Sequence, residues 1–265
     1  MHRRPLLQLA AASPAAVQPP GLLAARGRTY VLVHGSFTGG WLWAPVAERL
    51  RARGHCVYTP TQTGLGERRH LLTRGITLDT FVTDVTSLIE TEELEDVVLV
   101  GHSFGGIPIT GVADRIPGRI RHLVYLDALV IEGGKSFSDS YPPEVVAERR
   151  RAAEERGGGL AVPPPPLAGL GALGIPPGPL ADWVHRHMAA QPLGSYETPL
   201  RLENPFGNGR PKTYVFANSP PFPALASMRD WVRRQPGWTW VEIAAGHFAP
   251  ITAPAEVTAL LDGIA

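Results

Sequence analysis

At residues 96–106 the chain reads Asp96-Val97-Val98-Leu99-Val100-Gly101-His102-Ser103-Phe104-Gly105-Gly106. The first five residues are typical of a buried strand, and residues 107–115 have the pattern of a helix. The six residues between them fit Gly-x-Ser-x-Gly, a sharp strand-to-helix turn. Side chains in place of Gly101 and Gly105 would clash in such a turn, which projects Ser103 from the end of the strand. The stretch predicts an α/β fold with a nucleophilic serine at a helix N-terminus.

The alternation of apolar strand and helix recurs along residues 28–265. Since parallel strands need crossover connections, this order predicts a mostly parallel sheet with helices on both faces. The predicted strands are residues 30–33, 56–60, 96–100, 122–126, 212–216 and 239–243. The predicted helices are residues 43–53, 78–91, 107–115, about 143–156, 179–190, 224–234 and 254–264.

The alternation stops over about residues 130–210, where two helices flank a Gly/Pro-rich stretch at 157–179. A long Pro-rich connection inside one domain is typical of a mobile or lid-like segment. We therefore expect a helical, Pro/Gly-rich cap inserted between strands, above the sheet edge where ligands bind in such folds. The run Arg149-Arg150-Arg151 on the first cap helix is expected to be a solvated face.

A second glycine-rich loop, His34-Gly35-Ser36-Phe37-Thr38-Gly39-Gly40, follows the first strand. Such a loop can direct a backbone N–H at the oxygen of a tetrahedral intermediate. The predicted oxyanion hole is the N–H of Phe104 with the N–H of Ser36, and Phe37 is the alternative second donor. Each donor contributes about 3–4 kcal/mol of transition-state stabilisation.

The general base is predicted to be His247, which lies in Ala245-Gly246-His247-Phe248 after the last strand. Its imidazole needs an acceptor on the far nitrogen, and losing that acceptor costs about 10⁴ in rate. The turn after the penultimate strand, residues 217–222, contains no Asp or Glu. Asp127, at the end of the strand that follows the serine turn, is the predicted acid, and Asn218 is the alternative.

Six segments carry a family resemblance over about residues 29–264. The chain resembles the α/β-hydrolases, and more narrowly bacterial EstC-type esterases and the plant methyl esterase and hydroxynitrile lyase branch. The resemblance implies the α/β-hydrolase fold and a Ser103, Asp127, His247 triad. The segments are Tyr30 to Gly35, Gly39 to Trp41, Thr63 to Arg68, Gly101 to Gly106, Val124 to Ala128, and Gly246-His247.

Two departures from the lyases favour ester chemistry. The lyases of this branch carry Thr at the position of Gly35 and Lys after the catalytic His, where this chain has Phe248. That lysine stabilises leaving cyanide. The plant enzymes also take their acid from the turn after the penultimate strand, so the chain is more similar to bacterial members with Asp at the position of Asp127.

These residues predict a serine hydrolase that cleaves a carboxylic ester with a bulky apolar or aromatic group through an acyl-enzyme. No metal or cofactor is required. The alternatives are lactone hydrolysis, acyl transfer, or a cyclisation or lyase step by the same triad, and, outside catalysis, small-molecule binding. The candidate substrate-binding residues are Trp41, Phe248, Trp183 and His187.

Composition restricts the partners. The net charge is +1 over 265 residues, which argues against nucleic-acid binding, and no apolar run is long enough to span a membrane. The single Cys56 rules out an intramolecular disulfide. Residues 1–27 are expected to be a disordered Ala/Pro-rich leader in a cytoplasmic protein; the alternative is a twin-arginine export signal at Arg3-Arg4. The sequence leaves the natural substrate and the oligomeric state open.

Overall fold

A computed structural model describes residues 27–264, so the predicted leader lies outside the described residues except for Gly27. Six parallel strands form the central sheet, in the order β2-β1-β3-β4-β7-β8. Two short antiparallel strands, β5 and β6, pair outside it. The strands are β1 Thr29–Val33, β2 Cys56–Tyr58, β3 Val97–His102, β4 Ile120–Leu126, β5 Ala161–Val162, β6 Gln191–Pro192, β7 Lys212–Ala217 and β8 Trp238–Ile243.

The predicted helices are all present, with ends that shift by a few residues. The α-helices of the described chain are α1 Ala44–Ala52, α2 Leu78–Thr91, α3 Gly106–Arg115, α4 Pro143–Arg156, α5 Pro179–His187, α6 Leu193–Glu197, α7 Ala226–Arg234, α8 Ala249–Thr252 and α9 Pro254–Ile264. Short 3₁₀ turns lie at Gly40–Trp43, Gly66–Leu71, Ser103–Gly105, Pro117–Arg119, Ser138–Ser140, Leu167–Leu173 and Pro223–Leu225.

The sheet is buried on both faces, as its continuous apolar strands predict. Helices α1 and α9 pack on one face, where Leu50 and Leu261 are almost fully buried. Helices α2, α3 and α7 cover the other face through residues such as Val85, Val112 and Val232. The α/β-hydrolase fold class expected from the sequence is confirmed. None of the helices in residues 27–264 is long and apolar enough to cross a membrane.

The register aligns the strand ends that carry the predicted site. Gly101 pairs with Tyr125 and His102 with Leu126 in the parallel β3–β4 ladder. Leu126 pairs in turn with Val215 of β7. Strands β3 and β4 therefore end side by side, and the residues that follow them emerge at one edge of the sheet.

Residues 130–210, called the cap segment below, connect β4 to β7. They contain α4, β5, α5, β6 and α6, packed against the sheet edge through the two apolar clusters that include Tyr196 and Met188. The helix predicted at residues 179–190 ends at His187, because Met188 is extended and the chain then forms β6. The antiparallel β5–β6 pair and α6 were not predicted, since strands of two residues and a helix of five are too short to show a periodic sequence pattern.

Candidate active site

The turn after β3 has the close packing that the glycine pattern predicts. A Cβ at Gly101 would lie 2.5 Å from the carbonyl oxygen of Gly105, and a Cβ at Gly105 would lie 2.7 Å from that of His34. Neither contact is tolerable, so both positions require glycine. Ser103 itself has φ +53°, a conformation that non-glycine residues seldom adopt. This strained turn places its Oγ at the sheet edge, at the entrance to helix α3.

Ser103, His247 and Asp127 form one hydrogen-bonded chain. His247 Nε2 lies 3.0 Å from Ser103 Oγ, and His247 Nδ1 lies 2.7 Å from Asp127 Oδ2. Asp127 is fully buried and His247 is 3% exposed. Asn218, the alternative acid position, instead donates from Nδ2 to Glu242 at 3.0 Å. The geometry therefore favours Asp127 over Asn218 as the partner of the imidazole.

Asp127 has a second partner that the sequence did not indicate. Arg229 Nη1 donates to Asp127 Oδ1 at 3.3 Å, and Nη2 donates to the carbonyl oxygen of Phe222 at 2.9 Å. Arg229 is only 7% exposed. It lies on α7 on the same face as buried Val232, three residues later. A cation on a buried helix face requires a counter-charge, and this was the signal available in the sequence.

The loop that carries His247 is fixed from both sides. His102 Nε2 lies 2.7 Å from the carbonyl oxygen of His247, and Phe248 N–H donates to the carbonyl oxygen of Leu173 in the cap segment. Burial, reinforced by nearby His247, lowers the pKa of His102 well below its usual value. His102 is thus a neutral donor to the loop.

His34 links the loop after β1 to the segment that follows β2. Its Nδ1 lies 2.8 Å from the carbonyl oxygen of Gly35, and its Nε2 accepts the N–H of Gln62 at 3.1 Å. Burial lowers the pKa of His34 to about 4, so the ring is neutral at pH 7. A Cβ at Gly35 would lie 2.7 Å from Ser103 Cβ, which explains why this chain has no side chain there.

The backbone of Phe37 is bonded to the cap segment. Its N–H donates to Gln191 Oε1 at 3.0 Å, and its carbonyl oxygen accepts the N–H of Ala189 at 2.8 Å. These two bonds hold Phe37 at φ +64°. Because the Phe37 N–H already has a partner, the structure supports Phe37 less than Ser36 as the second oxyanion donor. Ser36 and Phe104 stay the candidate donors.

Ser36 is also fixed from the cap segment. Tyr196 donates from its hydroxyl to Ser36 Oγ at 2.8 Å. Burial raises the pKa of Tyr196, so the hydroxyl keeps its proton. Two residues separated from the loop by more than 150 positions, Gln191 and Tyr196, therefore set the position of the predicted oxyanion hole. Neither contact was predicted from the sequence.

A cavity of about 410 Å³ opens onto Ser103 and His247. Most of its lining is apolar, as expected for an ester site, and it includes Phe248 as predicted. An aromatic ring packs close to the base: the Phe222 ring centroid lies 4.5 Å from that of His247. The other lining residues include Phe37, Leu129, Phe137, Tyr141, Arg149, Leu173, Met188, Tyr196 and Leu225.

Three predicted substrate-binding residues do not line this cavity. Trp41, Trp183 and His187 form an aromatic cluster beside it: Trp183 stacks on His187 at 4.0 Å and meets Trp41 edge-on at 5.2 Å. Trp183 and His187 are one helical turn apart on α5, so they share a face that packs against Trp41. In this structure the cluster attaches α5 to the 3₁₀ turn at Gly40–Trp43, and a role for these three residues in substrate binding stays a prediction.

Comparison with known proteins agrees with this geometry. A model described as "Alpha/beta hydrolase family" matches residues 30–260. The chain belongs to the alpha/beta hydrolase family. This hydrolase is 41% identical over 235 residues to a carbendazim hydrolyzing esterase of Nocardioides sp. (strain SG-4G), covering 86% of this chain and 96% of the relative. It is 34% identical over 105 residues to Methylesterase 4 of Arabidopsis thaliana, a match that covers 39% of this chain and 40% of the relative.

A solved alpha/beta-hydrolase from a Paenibacillus species has the same fold. The TM-score is 0.77 at 24% identity, over 88% of this hydrolase and 97% of that chain. The Arabidopsis thaliana alpha-hydroxynitrile lyase matches a shorter part, at 33% identity over 106 residues, or 40% and 41% of the two chains. A plant methylesterase and a hydroxynitrile lyase are therefore among its relatives, as the resemblance implied, and the esterases among the relatives support hydrolase activity.

Proposed function

We propose that this chain is a serine-dependent carboxylic ester hydrolase acting on esters with a bulky apolar or aromatic group. The observation that carries the proposal is the hydrogen-bonded chain of Ser103, His247 and Asp127 at an apolar cavity. The 41% identical relative that hydrolyses carbendazim supports the same class of reaction.

The reaction begins when His247 removes the proton of Ser103 as Oγ attacks the acyl carbon. Asp127 stabilises the imidazolium that forms. The oxyanion develops against the N–H groups of Phe104 and Ser36, close to the N-terminus of α3. His247 then protonates the leaving alcohol, and water, activated by the same imidazole, hydrolyses the acyl-enzyme.

The lyase alternative is disfavoured by Gly35 and Phe248. A side chain at position 35 would collide with Ser103, and Phe248 supplies no cation beside His247 to receive a leaving anion. The apolar cavity provides no replacement cation next to the imidazole among its lining residues, since Arg149 stacks on rings of the cap segment. Ester hydrolysis fits this site better.

The test is p-nitrophenol release from aliphatic and aryl p-nitrophenyl esters, with carbendazim hydrolysis assayed in parallel. We expect Ser103→Ala to lower kcat/KM at least about 10³-fold, because only binding and oxyanion contacts survive. Ser87→Ala, an exposed serine on α2, is the matched control and should retain native activity.

A fluorophosphonate should label native protein and Ser87→Ala, but not Ser103→Ala. Turnover that survives in Ser103→Ala would overturn the proposal. Tight ligand binding without turnover in the native protein would favour the hypothesis of a small-molecule binding protein over the hydrolase proposal.

A further inference from the structure

Three consecutive arginines on α4 have different surroundings. Arg150 Nε donates to Glu197 at 2.5 Å, and Arg151 pairs with Glu148 one turn earlier on the same helix. Both side chains are at least 60% exposed. Arg149 is half-buried and lines the cavity that contains Ser103 and His247. Successive helical residues are about 100° apart, so one of three can face the cavity while its neighbours face solvent.

Rings of the cap segment hold the guanidinium of Arg149. Its Cζ lies 3.9 Å from the ring centroid of Tyr141, 4.8 Å from Phe137 and 5.6 Å from Tyr196. Stacking on aromatic rings stabilises the flat face of a guanidinium by cation–π contact. Its N–H groups point outward in the guanidinium plane, away from the rings, and still need hydrogen-bond acceptors. The aromatic cluster therefore fixes the orientation of the fork without satisfying it.

One N–H group of Arg149 is left without an acceptor. Nη1 is buried and has no hydrogen-bond partner within residues 27–264. The ion pairs found in that part of the chain involve Arg150 and Arg151 but not Arg149. A buried donor that lacks a partner in the protein is suited to a partner on a ligand.

We propose that Arg149 is a specificity-determining residue that donates hydrogen bonds to an oxygen acceptor of the substrate other than those of the scissile ester. The preferred substrate then has an apolar body and a second carbonyl or carboxylate oxygen. This inference rests on the proposed ester hydrolysis at Ser103. Such a site discriminates strongly against an analogue that lacks the acceptor, because Arg149 then stays unpaired.

The test uses p-nitrophenyl esters with isosteric acyl ends. The acyl groups have the form CO–(CH₂)n–X, where X is isopropyl, carboxamide or carboxylate and n runs from three to six. The measured quantity is the ratio of kcat/KM for each oxygen-ended ester to that of the isopropyl-ended ester of equal length, after subtracting spontaneous hydrolysis. For native protein we expect this ratio to exceed about 10 at the best length.

Arg149→Met should lower that ratio at least about 10-fold, since methionine fills the space over the rings but donates nothing. Arg149→Lys keeps a cation without the planar fork and should give an intermediate ratio. Arg150→Met removes the same charge from the same helix outside the cavity and should leave the ratio within about twofold. If Arg149→Met lowers the ratio only for carboxylate-ended esters, the acceptor is anionic. If it lowers the ratio for carboxylate-ended and carboxamide-ended esters alike, the acceptor is a carbonyl oxygen.

Three results would overturn the inference: a native ratio near 1 at every length, a ratio unaffected by both Arg149 variants, or an equal loss in Arg150→Met. Should Arg149→Met not fold, Arg149→Lys decides alone. Failure of the proposed function is separate, because then no ester is turned over in a Ser103-dependent way. In that case calorimetric binding of the matching amide-ended and isopropyl-ended acids to the native protein still tests Arg149.

Discussion

The edge of the sheet and the cap segment contribute different kinds of residue to one cavity. Ser103 and Asp127 follow the adjacent strands β3 and β4, and His247 follows β8, so each is placed by the parallel framework. The cap segment contributes Tyr141, which precedes helix α4, and Arg149, which lies on that helix. Under the proposed function, the sheet edge breaks the ester bond and the cap segment selects the substrate.

The two regions also differ in how the backbone bends. At the sheet edge, Ser103 and Asp127 have φ of +53° and +40°, so functional side chains occupy a strained conformation. In the cap segment the positive φ values fall on glycines such as Gly174 and Gly178, with Asn208 at +43° as the exception. Gly174 also packs closely against Gly246, beside the base, where a Cβ would lie 2.9 Å from Gly246 Cα. Functional side chains therefore carry the strained conformation at the sheet edge, whereas in the cap segment glycines adopt most of the positive φ values.

The largest effect should come from the carboxylate at the sheet edge. We expect Asp127→Asn to lower kcat about 10⁴-fold, because an amide cannot hold the imidazole in the required tautomer or stabilise imidazolium. Asn218→Ala, at the other position considered for this role, should change kcat less than about threefold. Steady-state kinetics on one p-nitrophenyl ester compares the two. A large loss in Asn218→Ala with a small one in Asp127→Asn would reverse the assignment.

The same contrast explains what the sequence could predict. The strands of the sheet are continuous apolar runs, and the turns after them carry glycines that only a sharp turn requires. Local pattern therefore located Ser103, Asp127 and His247. The cap segment has no such pattern: β5 and β6 have two residues each, and their pairing joins Ala161 to Pro192 and Val162 to Gln191. Its structure depends on tertiary contacts.

Two arginines and one tryptophan illustrate that limit. Arg229 contacts Asp127 across 102 positions, and no local pattern pairs them. Arg149 was expected to be solvated with its two neighbours, but it alone enters the cavity. Trp183 was expected in the pocket but packs beside it. In each case the residue type was informative and the direction of the side chain was not.

An intermediate effect should come from the buried partner of the acid. Arg229→Met leaves the Asp127 carboxylate without its cation, and removing one member of a buried pair costs about 3 kcal/mol of the free energy of unfolding. We also expect kcat to fall about 10-fold or more, since Asp127 loses a fixed contact. Urea unfolding and ester kinetics measure both.

Arg233→Met is the matched control for that variant. Arg233 lies one turn further along α7 and pairs with Glu242 at 2.7 Å, with both side chains at least 40% exposed. Solvent screens such a pair, so both stability and kcat should stay close to native. Equal behaviour of the two variants would show that Arg229 does not support Asp127.

The smallest effect should come from the aromatic cluster beside the cavity. Trp183→Ala removes a half-buried indole that contacts Trp41 and His187, which should lower the free energy of unfolding by about 1–2 kcal/mol. Because Trp183 does not line the cavity, KM for a small ester should change less than about twofold. Phe248→Ala, which removes a lining ring, should raise KM several-fold on the same ester. If Trp183→Ala raises KM as much as Phe248→Ala does, the cap segment closes further over the substrate than this arrangement shows, and Trp183 contacts it after all.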